Sequence, residues 1–203
     1  YVQFRDGTIA NLAGFSNAQA WFVSVVRPIA AKQGLEIPAD VTDLPAYIQQ
    51  MVADGKAQLK QYEDGLAQLA EAEKTIAEGE DVDDATKEIL EAAAITHDIG
   101  IRVCFEKYGN CNGPHQEVEG PPIALEMLPT CGYTHGQTER ICYLIGHHHT
   151  YTNINGIDYQ ILVEADFLVN IFESGMTHEA AEKVYENIFR TKTGKQLLKD
   201  LFL

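Results

Sequence analysis

Apolar residues recur at steps of three and four along most of this chain, the period of an amphipathic helix. A first predicted helix covers residues 17–32, with Trp21, Phe22, Val25 and Val26 on one face, and Gly34 and Pro38 mark its end. Thr42-Asp43-Leu44-Pro45 is a helix start with proline near the first turn. From there Ile48, Met51, Val52, Leu59, Tyr62, Leu66, Leu69 and Ile76 carry a helical stripe to about Glu78. The part rich in Ala, Gln, Glu and Lys, residues 57–80, reads as a hairpin arm or a coiled-coil-like segment, with Gly55, Gly65 and Gly79 as interruptions. Asp83 is a cap for a helix over 84–98. A loop rich in Gly, Asn and Pro follows over 107–114, then helices over 121–128, 136–148, 158–173, 178–190 and 194–201. Residues 1–15 carry no clear pattern, and strand patterns are nearly absent. The expected fold class is all-α: a helical bundle over 76–203, preceded by an atypical N-terminal helical segment over 1–75.

Composition narrows the function. Apolar residues make up 45% of 203 residues, enough for a real core. The formal net charge of −15 repels phosphate backbones, and no Lys/Arg stripe offsets it, so no nucleic acid polymer is expected as partner. No apolar run approaches the roughly 18 residues that span a bilayer, so no membrane segment is expected within the chain, and the expected location is the cytoplasm. Cys104, Cys111, Cys131 and Cys142 form no C-x-x-C pair, which argues against a zinc knuckle. They read as reduced thiols, with a Cys104–Cys111 disulfide across the glycine-rich loop as the alternative.

Three polar features stand where a core should be. Ile89, Ala93 and His97 form one helical stripe, so His97 points inward at a helix end, with Asp98 next to it and Gly100 turning the chain away. At such an end both side chains can reach one cation. Asp166 shares a face with Leu162 and Val169. A carboxylate there costs several kcal/mol unless it is paired or ligates a metal; Arg102 and Arg140 are the candidate partners for a plain salt bridge. Ile141, Leu144, Ile145 and His148 make a third stripe, which brings in the run His147-His148-His149. The alternative for that run is a solvated cluster at a helix end.

The segments Glu91-Ala-Ala-Ala-Ile-Thr-His-Asp-Ile-Gly100, Cys142-Tyr-Leu-Ile-Gly-His-His-His149 and Glu164-Ala-Asp-Phe-Leu168 resemble, in that order, three helices of the HD superfamily of metal-dependent phosphohydrolases. The likeness runs from about Glu78 to the C-terminus. It implies a metal set of His97, Asp98 and Asp166, joined by His147 and His148 where a second ion binds. It implies catalytic roles for Asp98, His147 and His148, and substrate contacts from Lys107, His115 and His149. Lys107 on its own reads more readily as a solvated loop lysine. Two departures stand out. Gln116, four residues before Gly120, occupies a place where some relatives hold a histidine. The family also has a histidine upstream of the His-Asp pair, whereas this chain has none before His97; the aligned region lies near Gly65, where Glu63, Asp64 or Glu71 could offer an oxygen instead.

A mixed nitrogen and oxygen set suits one or two divalent transition ions (Mn, Fe, Co, Ni or Zn). The implied activity is hydrolysis of a small phosphomonoester or phosphodiester, nucleotides included. Two other roles fit the same residues: a degenerate HD-type protein that binds metal or nucleotide without turnover, and a homo-oligomerisation or docking module acting through the long N-terminal helix.

Overall fold

The computed structural model describes residues 2–3, 9–10, 27–32, 37–41 and 44–203. Trp21, Phe22, Val25 and Val26, the expected face of the first helix, lie outside them, as does the Thr42-Asp43 start. The chain divides into two compact units, Tyr1–Gln61 and Tyr62–Leu203. In the first, β1 (Val2–Gln3) and β2 (Ile9–Ala10) pair antiparallel, Val2 opposite Ala10. Helix α1 (Arg27–Lys32) follows, and the Arg27 guanidinium donates to the carbonyls of Pro38, Ala39 and Val41 at 2.6–2.8 Å.

Helix α2 runs unbroken from Leu44 to Gly79. The hairpin alternative is not realised. A glycine inside a helix costs only about 1 kcal/mol against alanine, less than the surrounding helix formers and the buried end return. Up to Gln61 its apolar positions Ile48, Met51, Val52 and Leu59 are exposed. From Leu69 onward the same stripe enters the core of the second unit.

That unit is built from α3 (Asp84–Thr96), α4 (Ile101–Tyr108), α5 (Gly113–Met127), α6 (His135–Ile145), α7 (Ile157–Ser174), α8 (His178–Asn187) and α9 (Lys192–Phe202). The described chain is otherwise helical, as its periodicity predicts. Helix α7 lies at the centre, with Ile161, Leu162, Val163 and Ala165 wholly buried. Helix α3 packs on both α6 and α7, and α5 bridges α4 and α6. Leu90, Ile141, Leu144 and Phe189 complete the interior. Glu164 is buried there too, accepting from Gln160 Nε2 at 2.8 Å and from the backbone N–H groups of Arg190 and Thr191 at 2.6 and 2.9 Å. It thereby fixes the entry to α9.

Two helices depart from the predicted bounds. Helix α4 occupies the start of what reads as loop, and ends where Gly109 takes a left-handed φ of 69°. Helix α5 begins at Gly113, not at Pro121. The Asn112 side chain caps it by accepting from the His115 N–H at 3.2 Å. Pro121 and Pro122 lie inside the helix, and each deletes one ladder donor. Helix α6 stops at Ile145, so the three histidines stand in a turn beyond it.

The junction of α3 and α4 meets α5 backbone to backbone. A Cβ on Gly100 would lie 2.7 Å from the Gly120 nitrogen and 3.1 Å from its Cα. No flexible side chain can yield there. Gly100→Ala is therefore expected to destabilise the fold by about 1–3 kcal/mol through overpacking. Gly55→Ala, with nothing within 4 Å of the new methyl, is expected to stabilise by up to about 1 kcal/mol. Urea midpoints of the two variants give the comparison.

One core-lining carboxylate stands unpaired among the described residues. Glu73 is 4% exposed. Burial, then the charge of Glu91, pushes its carboxyl up to about 7 from an ordinary 4.5; Glu71, Glu78, Lys74 and Lys87 are the other charged groups around it. Below pH 4.5 the group is neutral folded and unfolded alike. Between 4.5 and about 7 the unfolded chain loses its proton first, so the contribution to stability falls as pH rises. Glu73→Gln should thus match the parent in thermal midpoint near pH 4.5 and exceed it increasingly up to pH 8. A gap that stays constant across that range would contradict the assignment.

Candidate metal centre

Helix α3 ends at Thr96 with His97 as its C-cap, still in helical backbone geometry. The last carbonyls of a helix lack intrahelical donors. The His97 Nδ1–H donates to one of them, Ala94 O, at 2.8 Å. A carbonyl can only accept, so Nδ1 carries a hydrogen and Nε2 is the nitrogen left to face the carboxylates, offering a lone pair in the neutral ring. That Nε2 lies 3.4 Å from Asp98 Oδ2 and 3.7 Å from Asp166 Oδ1.

The same device recurs past α6. His148 Nδ1–H donates to Ile145 O at 2.7 Å, and its Nε2 faces Asp98 Oδ1 at 3.7 Å. The two rings meet edge to face, 5.2 Å apart. Asp98 thus divides its oxygens, one towards His97 and one towards His148. His149 sits 4.1 Å from the His148 ring. The turn carrying both is held from two sides. Glu117 Oε1 on α5 accepts from the His149 N–H at 3.0 Å and from the Thr150 hydroxyl at 2.9 Å. The buried Tyr159 hydroxyl on α7 reaches the carbonyls of His147, at 2.6 Å, and Thr150.

Burial alone would push the His97 imidazole down, but the adjacent Asp98, then the charge of Asp166, outweigh it and lift it to about 9. Burial alone would raise the Asp98 carboxyl; the facing His148 and His97 hold it well below the usual carboxylate range. Asp166 goes the other way, raised because burial exceeds the pull of His97 and His148. Burial, then His148, depresses His149 to about 4, which keeps it neutral at pH 7.

These groups fit a cation. The Nε2 atoms of His148 and His149 are buried and have no hydrogen-bond partner. Ligating atoms of Asp98, His148 and His149 all lie within 4.8 Å of one another. The 3.4–3.7 Å spacings among His97, Asp98, Asp166 and His148 match the edge of a coordination polyhedron, about 3.4 Å for tetrahedral bonds near 2.1 Å. The salt-bridge alternative for Asp166 is not realised: Arg140 pairs with Asp158 at 2.6 Å and Arg102 with Glu106 at 2.8 Å.

Other expected site residues are placed elsewhere. His147 donates Nδ1–H to Tyr143 O at 2.7 Å and stacks on the Tyr143 ring, outside the converging group. Lys107 pairs with Glu119 at 2.5 Å, and Tyr108 donates to the same carboxylate. His115 stacks on Tyr108 at 3.9 Å. Glu63, Asp64 and Glu71 are exposed and stand outside the converging group. On α2 the residue within electrostatic reach of Asp98 is Tyr62, whose phenol is raised by burial and then by that charge. Gln116 is buried, donating to Cys111 O at 3.0 Å, with its own Oε1 unpaired. All four cysteines are free thiols. Tyr62, Glu117 and the ligand geometry of His149 escaped sequence reading, because each depends on which helices meet.

No protein-family model matches this chain, and no curated protein matches it. Among solved structures, a crystal structure of a predicted HD superfamily hydrolase from an uncultured Thermotogales bacterium is similar, at 24% identity. The match covers 68% of this chain and 71% of that one, with a TM-score of 0.49. Among the described residues no helix is long and apolar enough to cross a membrane.

A Cβ on Gly113 would lie 2.7 Å from Cγ of the His149 ring, whereas one on Gly136 would meet nothing within 4 Å. Gly113→Ala is expected to displace that imidazole and weaken Mn²⁺ or Zn²⁺ binding about 10–100-fold, as changes around a ligand do, and Gly136→Ala to leave it unchanged. Calorimetric titration with each ion checks the pair.

Proposed function

We propose that this protein is a metal-dependent phosphohydrolase acting on a small phosphomonoester or phosphodiester, nucleotides included. The observation that carries the reading is the pair of buried, unpartnered Nε2 atoms on His148 and His149, converging with Asp98. Buried polar atoms are nearly always satisfied, so two orphans side by side ask for a ligand. His97, Asp98, Asp166 and His148 would hold the ion, with His149 as a further nitrogen. An ion bound there would supply a Lewis acid for a phosphate oxygen and acidify a water.

The chain's own residues do the rest. Asp98, kept ionised at any working pH, would orient the attacking water by accepting a hydrogen bond from it. Asp166, desolvated on α7 and faced by the His97 imidazole, would gain a further counter-charge from a bound cation. His149, neutral at pH 7, offers a lone pair without first losing a proton. His147, part exposed and stacked on Tyr143, stands beside the centre as a candidate donor to a leaving group.

A second reading rests on Tyr62. It lies on α2 within the electrostatic reach of Asp98, three residues from Gly65, near which the resemblance calls for a histidine, and a protonated phenol is a poor ligand. A centre so built could bind metal or nucleotide without turnover.

Metal content of the purified protein, and hydrolysis of p-nitrophenyl phosphate and its bis-ester with added Mn²⁺, separate the two. Turnover that vanishes in Asp166→Asn together with the bound ion supports the enzyme. Bound metal without turnover on either ester selects the second reading. No metal, with no response to Mn²⁺, sinks both.

A further inference from the structure

We propose that the cleft between α2 and α3 binds a small aliphatic diamine, with Glu73 and Glu91 pairing one of its ammonium groups. The cleft has a volume of about 400 Å³, and Glu73 lines it while remaining 96% buried as a residue. Among the described residues no donor reaches Glu73, although Lys74 and Lys87 line the same cleft. The Glu73 side chain is buried except where it opens into the cleft, and there its carboxylate faces the charge of Glu91 with no partner to offset it. A cation delivered from solution removes both penalties at once.

The shape of the cleft selects the kind of cation. A bare metal ion needs several ligating atoms at one point. The converging groups of the described residues comprise Asp98, His148 and His149, and none of the cleft carboxylates belongs to them. Three of the cleft's acidic groups are instead strung along α2, with Glu71 and Glu78 flanking Glu73, and the fourth, Glu91, stands on α3. Ala67, Ala70 and Ala77 line the space between them, small enough to admit an alkyl chain and apolar enough to cover it. Above about pH 7, where Glu73 is ionised, four carboxylates against two lysines leave two charges to balance, which one diamine supplies.

The test is calorimetric titration of the whole chain with 1,4-diaminobutane in EDTA, so that the histidine–carboxylate centre takes no part. Butane-1,4-diol serves as neutral isostere. Saturable heat with the diamine alone is expected, about tenfold or more weaker in Glu73→Gln, as loss of a buried charge partner demands. Ala70→Leu, which fills the cleft and leaves every charge in place, should abolish it. Should Glu73→Gln fail to fold by circular dichroism, Glu91→Gln on the exposed rim takes its place. No saturable heat, equal binding by parent and variants, or equal response to the diol would overturn the proposal. Competition by Mg²⁺ at equal affinity in EDTA-free buffer would overturn it in favour of a metal.

Discussion

The hydrogen bond from a histidine Nδ1–H to a carbonyl at the end of its own helix is what the centre depends on. Helix ends leave carbonyls without donors, and His97 and His148 each satisfy one, three residues back. The bond does two things. It closes the helix terminus, and it fixes the tautomer of the neutral ring so that Nε2 faces outward as a lone pair. Because the two helix ends meet, the two Nε2 atoms face one carboxylate, Asp98. Neither imidazole needs a separate residue to orient it.

The rest of the unit holds those ends in register. Helix α3 contacts both α6 and α7, and the backbone approach of Gly100 to Gly120 brings α5 against the same junction. From α5, Glu117 grips the histidine turn; from α7, Tyr159 does so through two carbonyls. Helix α7 also contributes Asp166, whose backbone is immobilised by almost complete burial of that helix. A carboxylate so placed is expensive unless it is paired. No arginine of the described residues reaches it, and its counter-charge within the chain is the His97 imidazole, 3.7 Å away.

How much of this was legible in the sequence depends on the range of the forces involved. Helical periodicity marked α3, α7, α8 and α9 to within a few residues, since an apolar stripe and its cap are local. It missed α4 and the first half of α5. There Gly109, Asn112 and Pro114 read as loop, and Pro121-Pro122 read as a start, whereas tertiary packing carries α5 through both prolines. The apolar stripes placed His97 and His148 at inward positions with Asp98 beside the first, and the structure buries both imidazoles against Asp98. The roles expected of His147 and His149 come from the family resemblance alone, and the stripe that brought in His148 runs α6 on through Gly146, an extension the structure does not show. In the turn that replaces it, His149 is the residue that swings towards Asp98 and His147 stacks on Tyr143. Glu117 and Tyr62 could not be found from spacing, since they act from other helices.

The phenols around the centre sharpen what its remaining walls can do. Tyr62 feels Asp98, and Tyr151 is pushed up to about 12 by burial, then by the charge of Asp166. Both therefore keep their protons at any ordinary pH, and neither can serve as an anionic ligand. A protonated phenol is a donor, though, and donors facing an acidic centre are useful only if something negatively charged comes between them and the carboxylates. An ion bound by Asp98, Asp166 and the histidines would reverse the local sign and draw an anion to its open side. Tyr151 is packed on Phe167 at 4.9 Å and so is fixed in direction. Among the described residues the converging group thus takes neither an imidazole nor a carboxylate from α2, and the two phenols meet its charge as donors alone.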